Sequence, residues 1–488
     1  MEKQLKSVLL LSLKEMALRR VAVILWSDSD ISAVLKLPTC GFDIDINTIH
    51  LATEKMRKEC RETIVNKVKD KVLKLELPES LRKQINDIVY PISEEIKKLK
   101  KYQEDCLRDK DVKTILPCSA QLCWTSAGAI HTRKTAEKLV RCEKFNVVQR
   151  YRLACSYCLE DYIPHLWEKL PEEKKIIYSN NRNLSLDLRF CWPHILKGEL
   201  DKLDYLLRIS HRNLTSFNQW AFESSAENLN KTAAEYFFQK LTREERETSL
   251  MRTAHAVLGH PYQDEFQTRT VPDLLCYLLS FMTPEQQMEL VKAHPVHVLC
   301  CFLDWPWQDL FLENASLIWN FLPPSAYGLL LGRMVRKFED HYFPKLFEEF
   351  FVQSPIDFKK CFVDEISLFG IAACQFLSIF FESEDSGSIE VVFRNVDAAD
   401  RVKLIFHPDV FKLFFKNILW ERWRTVEVSL REAKLSKEEK KRLRDAFTEF
   451  LERSVSGECV NRKFKRFFEL LDETDANVDM GKKVQNIS

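Results

Sequence analysis

Apolar positions recur at helical spacing along most of this chain, and the pattern is sharpest over Ser216–Met251. There Ala233, Ala234, Phe237, Phe238 and Leu241 follow an i, i+1, i+4, i+5, i+8 order, the stripe of a helix with one face in a core. Asn230 stands where it can cap that helix. Thr242 and Glu245 then form a capping box, in which hydroxyl and carboxylate each satisfy a backbone N–H that a helix start leaves orphaned. One helix therefore ends near Leu241 and the next begins almost without a loop, as in a helical hairpin.

The same reading extends in both directions. Leu9, Leu10, Leu13, Met16 and Ala17 make an N-terminal stripe, continued by Val21, Val23, Ile24, Leu25 and Trp26. A helix rich in Lys and Glu is expected to open at 46–52 and run to about Leu75. Pro78 punctuates, and 79–111 is predicted as a charged helix packed on one side, because its apolar seam does not persist over three heptads. From about Leu122, aromatic-rich helices close on a cap or a proline at Leu170, Ile209, Leu241, Met282, Leu322 and Val352, in steps of 39, 32, 41, 40 and 30 residues. Thr283 with Gln286, and Ser436 with Glu439, are further capping boxes. The last three apolar faces are Phe411, Phe414, Phe415 and Ile418, then Leu443, Phe447, Phe450 and Leu451, then Phe464, Phe467, Phe468 and Leu471.

The organisation expected from this pass is a charged helical region at 1–115, a hairpin array at 116–381, a loop at 382–388, a basic helical region at 389–471 and a disordered tail at 472–488. Composition sharpens the class. The 488 residues include only 10 glycines, too few for the turns and phosphate-binding loops of a typical α/β enzyme. The expected fold is all-α, an irregular α-solenoid of stacked antiparallel hairpins, in which each hairpin buries its apolar face on its neighbours.

The hairpin from Trp220 to Phe238 resembles an ankyrin helix pair, a small-residue first helix turning into a second with paired bulky residues. Arg152–Trp167 and Thr48–Thr53 share the texture. The chain thereby resembles divergent ankyrin-like proteins that occur in multiple copies in arachnids. It departs from the ankyrin pattern in lacking a Thr-Pro-Leu-His opening, in carrying Asn228 or Glu160 at the turn glycine, and in having helix in place of the β-finger. The resemblance spans about 120–360 and implies a binding scaffold; it supplies no site residues.

Charge and chemistry change the picture little. Lys+Arg at 73 and Asp+Glu at 72 give a net charge of +1, which makes no global argument for nucleic acid or membrane. Lys14, Glu15, Arg19 and Arg20 interrupt any secretory h-region, and no apolar run approaches a membrane span, so no membrane association is expected. Fifteen scattered cysteines read as reduced, buried thiols of a cytoplasmic protein, with the nucleus as the other compartment. The Asn-x-Ser/Thr matches at Asn183, Asn213, Asn230, Asn314 and Asn486 then carry no glycans.

Cys155 and Cys158, with Cys118, Cys123, Cys142 and His165 nearby in sequence, have the ingredients of a zinc site. Inside an apolar helix they read as packing, so no metal or other cofactor is expected. His294 and His297 read as partly buried, hydrogen-bonded histidines, with no acid placed to orient either as a base. No catalytic constellation is expected, hence no enzyme. The one local asymmetry is at 401–470, with 18 Lys+Arg against 11 Asp+Glu, and Arg462, Lys463, Lys465 and Arg466 there are the candidate polyanion-binding residues. The expected function is a non-enzymatic scaffold for an unidentified protein partner, with polyanion or nucleic-acid binding through the C-terminal helices as the alternative.

Overall fold

The computed structural model describes residues 5–28, 31, 63, 65–107, 121–179, 187–210, 216–259, 271–328, 330–332, 334, 344–364, 366–367, 370–454 and 463–472. The fold is all-α. Strand structure among the described residues is confined to a ribbon of β1 Ile366–Ser367 antiparallel to β2 Gly370–Ile371, plus an isolated bridge between Trp124 and Ile130. No described helix is long and apolar enough to cross a membrane. The chain divides into two compact units, Met1–Leu317 and Ile318–Ser488.

The first unit begins with α1 Leu13–Trp26 and α2 Glu79–Leu107. These two enclose the helical stretch 65–73 in one core, where Ala22, Val23, Trp26, Val68, Val72, Ile85, Val89 and Ile92 are buried. The Trp26 indole N–H donates to Val89 O at 2.9 Å, which orients the ring as well as burying it. Helix α2 runs through Pro91, and it matches the expected charged helix as far as Leu107. The remainder of the expected 46–75 helix upstream of 63, and Cys118, lie outside the described residues.

Short helices follow: α3 Thr132–Arg141, α4 Val147–Ser156, α5 Ile163–Glu168, α6 Glu172–Ser179, α7 Leu188–Leu196, α8 Leu200–Ser210, α9 Phe217–Glu227, α10 Lys231–Lys240 and α11 Arg243–Gly259. The unit continues with α12 Val271–Leu279, α13 Pro284–Ala293 and α14 Pro295–Cys301, and α15 Phe311–Ile318 reaches its boundary. The α9–α10 hairpin is as tight as its sequence suggests. Ala221, Ala226, Ala233 and Ala234 are buried to within 1% and let the backbones approach. Phe222 meets Phe238 at 5.1 Å and Phe217 meets Phe237 edge-on at 5.8 Å. Asn230 accepts from Ala233 N, and the Thr242–Glu245 box is closed in both directions. Left-handed turn positions fall on Leu229 (φ 56°) and Cys158 (φ 49°).

Most helices of this unit pack on sequence neighbours, α9 on α10 and α11, and α11 on α12 and α13. Some contacts reach farther along the chain. Arg19 of α1 is buried, lies 4.2 Å over the Trp305 ring, and donates to Ala127 O at 2.9 Å and to Asp309 Oδ2 at 3.0 Å. Trp305 in turn donates to Gly128 O, and Gly128 has φ +72° with Trp305 and Arg19 against the position a Cβ would take. Asn314, 1% exposed, exchanges both hydrogen bonds of its amide with the Lys6 backbone, so this glycosylation match is sealed in the fold.

The second unit holds α16 Pro344–Gln353, α17 Ile356–Asp364, α18 Ala372–Glu382, α19 Ser386–Asn395, α20 Ala398–Ile405, α21 Pro408–Leu419, α22 Trp423–Ala433 and α23 Lys437–Ser454. It ends with α24 at 463–472. Two features of the described residues bear on the expected boundaries. The array expected at 116–381 is cut between Leu317 and Ile318, because Trp319 packs into the second unit, at 5.0 Å from Phe350 and 4.9 Å from Phe358. The loop expected at 382–388 is a tight corner: Asp385 caps α19 by accepting from Ser388 N, so 386–388 are helical. Its Ser, Asp and Gly content is that of an N-cap, and α19 packs back on α16 and α18. Asp472 is the last residue of α24, and the rest of the expected tail lies outside the described residues.

Candidate functional site

Helix α10 buries Phe237 and Phe238 and leaves Tyr236, Gln239 and Lys240 toward solvent, since i, i+3 and i+4 positions share a face. Tyr236 is the first anchor of a surface strip. Its ring lies 5.0 Å from Phe237 and 5.9 Å from Trp192, and its hydroxyl donates to Glu160 Oε2 at 2.6 Å. Burial, and then the Glu160 carboxylate, push that hydroxyl far above the ordinary tyrosine range, so it stays a donor. Lys240 sits 5.0 Å over the same ring with Glu160 at 3.8 Å. Two residues on from Glu160, the Tyr162 ring carries Arg141 at 5.3 Å, and Arg141 Nε donates to its hydroxyl at 2.6 Å.

On the other side of α10, Phe238 is the floor of an aromatic cluster. Phe281 packs on it at 4.7 Å and Tyr277 at 6.0 Å, with 5.0 Å between those two. Arg246 lies 5.3 Å over Phe238 and is pinned there by bonds to Phe238 O (3.1 Å) and Gln239 O (3.0 Å). Phe281 is 50% exposed. A large apolar ring packed on two other rings therefore faces water, and a guanidinium is held on the Phe238 ring that it packs against. The strip from Tyr162 to Phe281 offers Tyr, Phe, Arg and Lys in set orientations. Side chains of these kinds can bury apolar surface and make directional hydrogen bonds.

The residues singled out in the sequence lie elsewhere. Arg462 is outside the described residues. Lys463, Lys465 and Arg466 stand on the wet side of α24, whose Phe464, Phe467 and Leu471 are buried. Lys463 reaches Glu421 at 3.9 Å, Lys465 reaches Glu469 at 3.4 Å, and Arg466 bonds Glu427 at 2.7 Å while lying 4.8 Å over Trp423. Two of these three cations thus tie α24 to the α21–α22 corner. What spacing could not show is that carboxylates some 40 positions away face them.

Cys155 and Cys158 are buried, and desolvation pushes both thiols well above the ordinary range. Cys191 beside them is pushed up to about 12 by the same cause. Such thiols stay protonated and behave as small apolar groups. Among the described residues, no group of three or more His, Cys, Asp and Glu side chains is arranged to hold a metal ion. Cys374 Sγ lies 3.3 Å from His407 Nδ1, but that nitrogen also accepts from Asp409 N, and burial pushes the thiol up to about 12. The pair has the atoms of a nucleophile and base with the thiol held in its unreactive form. No protein-family model matches the chain, and no curated protein matches it.

Proposed function

We propose that the chain is a non-enzymatic scaffold for protein–protein interaction, and that it binds its partner along the strip from Tyr162 to Phe281. The observation that carries this reading is Phe281, half exposed while packed on Phe238, the same ring that carries Arg246. Aromatic and arginine side chains in rigid, partly desolvated settings are the residues that dominate binding energy at interfaces. The irregular α-solenoid belongs to the same proposal, and with it the kinship to divergent ankyrin-like repeats. Its support is the neighbour-to-neighbour packing of α9 to α13. Within the same unit Arg19 of α1 also bonds Asp309, far along the chain. A cytoplasmic setting fits the buried, protonated thiols.

Ion pairing at Lys463, Lys465 and Arg466 favours a protein over a polyanion as the partner, because each cation already faces a carboxylate. The test is cross-linking in native material followed by reconstitution with the recovered partner. Phe281→Asp is expected to weaken that complex at least about tenfold, the loss of roughly 1.4 kcal/mol that one interface anchor supplies, with the circular dichroism spectrum unchanged. Full affinity in Phe281→Asp, or salt-sensitive binding of mixed-sequence RNA or DNA in place of a protein, overturns the reading.

A further inference from the structure

Three imidazoles meet where α11 packs against the corner between α13 and α14. His255 Nδ1 lies 3.0 Å from His294 Nε2, with the rings 5.1 Å apart and inclined at 57°. His297, one turn on, presents its ring to His294 at 6.1 Å and 70°. All three are half-buried. Two ring nitrogens facing each other at that distance hold one hydrogen between them, one ring donating and the other accepting. One added proton is tolerated, since an imidazolium still donates to a neutral imidazole. A second is not: both facing nitrogens then carry hydrogens, and two positive charges stand in contact in a half-buried site.

We infer that His255 and His294 form a pH-sensitive latch, which holds the α13–α14 corner on α11 at neutral pH and releases it in acid. Several charged groups of the surrounding helices, among the described residues, are engaged elsewhere or exposed. Arg252, one turn before His255, is engaged by Glu223 of α9. Asp273 at the start of α12 accepts from Trp307. On α13, Glu289 is exposed, and Lys292 and His297 flank His294 in sequence as further positive or protonatable groups. Burial, and then His255, hold His294 below the ordinary histidine value of 6.5. The sign follows from that direction. A depressed histidine contributes stability that is complete above 6.5 and is lost as pH falls through its own lower value. The latch is thus closed at neutrality and opens only in acid, at a corner whose first helix begins three residues after Phe281.

Backbone hydrogen exchange of 288–301 in the full chain, from about pH 7.5 to about pH 5 and corrected for the intrinsic effect of pH, reads the device directly. Protection of this corner is expected to fall by up to about tenfold for each pH unit between 6.5 and the lower histidine value, the factor that one proton linked to opening produces, and to level off below it. His255→Gln and His294→Gln keep a hydrogen-bonding side chain that cannot charge, and each is expected to flatten the response. An equal acid response in the wild type and both variants, or no response in the wild type, overturns the latch. Should a variant fail to fold at neutral pH, histidine-selective carbon-13 NMR of the wild type decides. Two coupled and well-separated steps for His255 and His294 support the latch, and two independent titrations near 6.5 end it.

Discussion

The two units solve the same problem with different aromatics. In Met1–Leu317, four tryptophans send their indole N–H to a fixed acceptor: Trp26 to Val89 O, Trp192 to Cys155 O, Trp305 to Gly128 O and Trp307 to Asp273. In Ile318–Ser488 the rings between the last helices are phenylalanines. Phe447 lies 4.3 Å from Phe467, 5.5 Å from Phe411 and 6.0 Å from Phe464, and Phe415 stacks on Phe464 at 5.5 Å. A ring with a polar tip has one correct orientation, because the tip must find its acceptor. A ring without one is held only by shape. The first unit therefore gains specificity from a few directional bonds, and the second gains stability from volume.

Substitutions can break or sharpen that contrast. The largest effect is expected at Phe447, which is fully buried. Phe447→Ala is expected to lower stability by about 3–5 kcal/mol in urea unfolding, whereas Phe447→Met, which keeps most of the volume, is expected to cost less than about 1.5 kcal/mol. A similar cost for both would mean that ring geometry, not volume, governs the second unit. Next comes Trp26→Phe, which keeps an aromatic ring and removes the bond to Val89 O. A loss of about 1–2 kcal/mol is expected, and a negligible one would show that the indole tip contributes nothing to the first unit. The smallest effects are expected at helix starts, where the units should be alike. Thr242→Ala and Ser436→Ala each open one capping box, at about 1 kcal/mol apiece. Unequal values would place part of the contrast outside the cores.

The helix starts were the most legible feature of this chain, for a physical reason. A capping box closes within three residues, so its partners are visible together, and the boxes at Thr242, Thr283 and Ser436 are all formed. Two more, Ser12 with Glu15 and Asn146 with Gln149, are found only in the structure. The first follows the apolar run Val8–Leu11, which obscures where that helix begins. The wet face of α24 was legible from the spacing of its phenylalanines, but its ion pairs were not. Glu421 and Glu427 come near only once α22 and α24 have packed. His294 is hydrogen-bonded as the sequence suggests, yet its partner is His255 on another helix. The strip at Phe281 went unseen because exposure is a property of the packed hairpins; in the sequence, Phe281 is one more apolar position.

The Arg19 junction has a kinetic corollary. Stacked helical repeats usually come apart gradually, terminal units first, because each is held from one side only. A guanidinium that grips both Ala127 and Asp309 links positions 108 and 290 residues away to one helix near the start. Peeling an outer hairpin then also means extracting a buried cation from between an indole and a carboxylate. The first unit is accordingly expected to melt as a single cooperative block, resisting proteases until it opens as a whole.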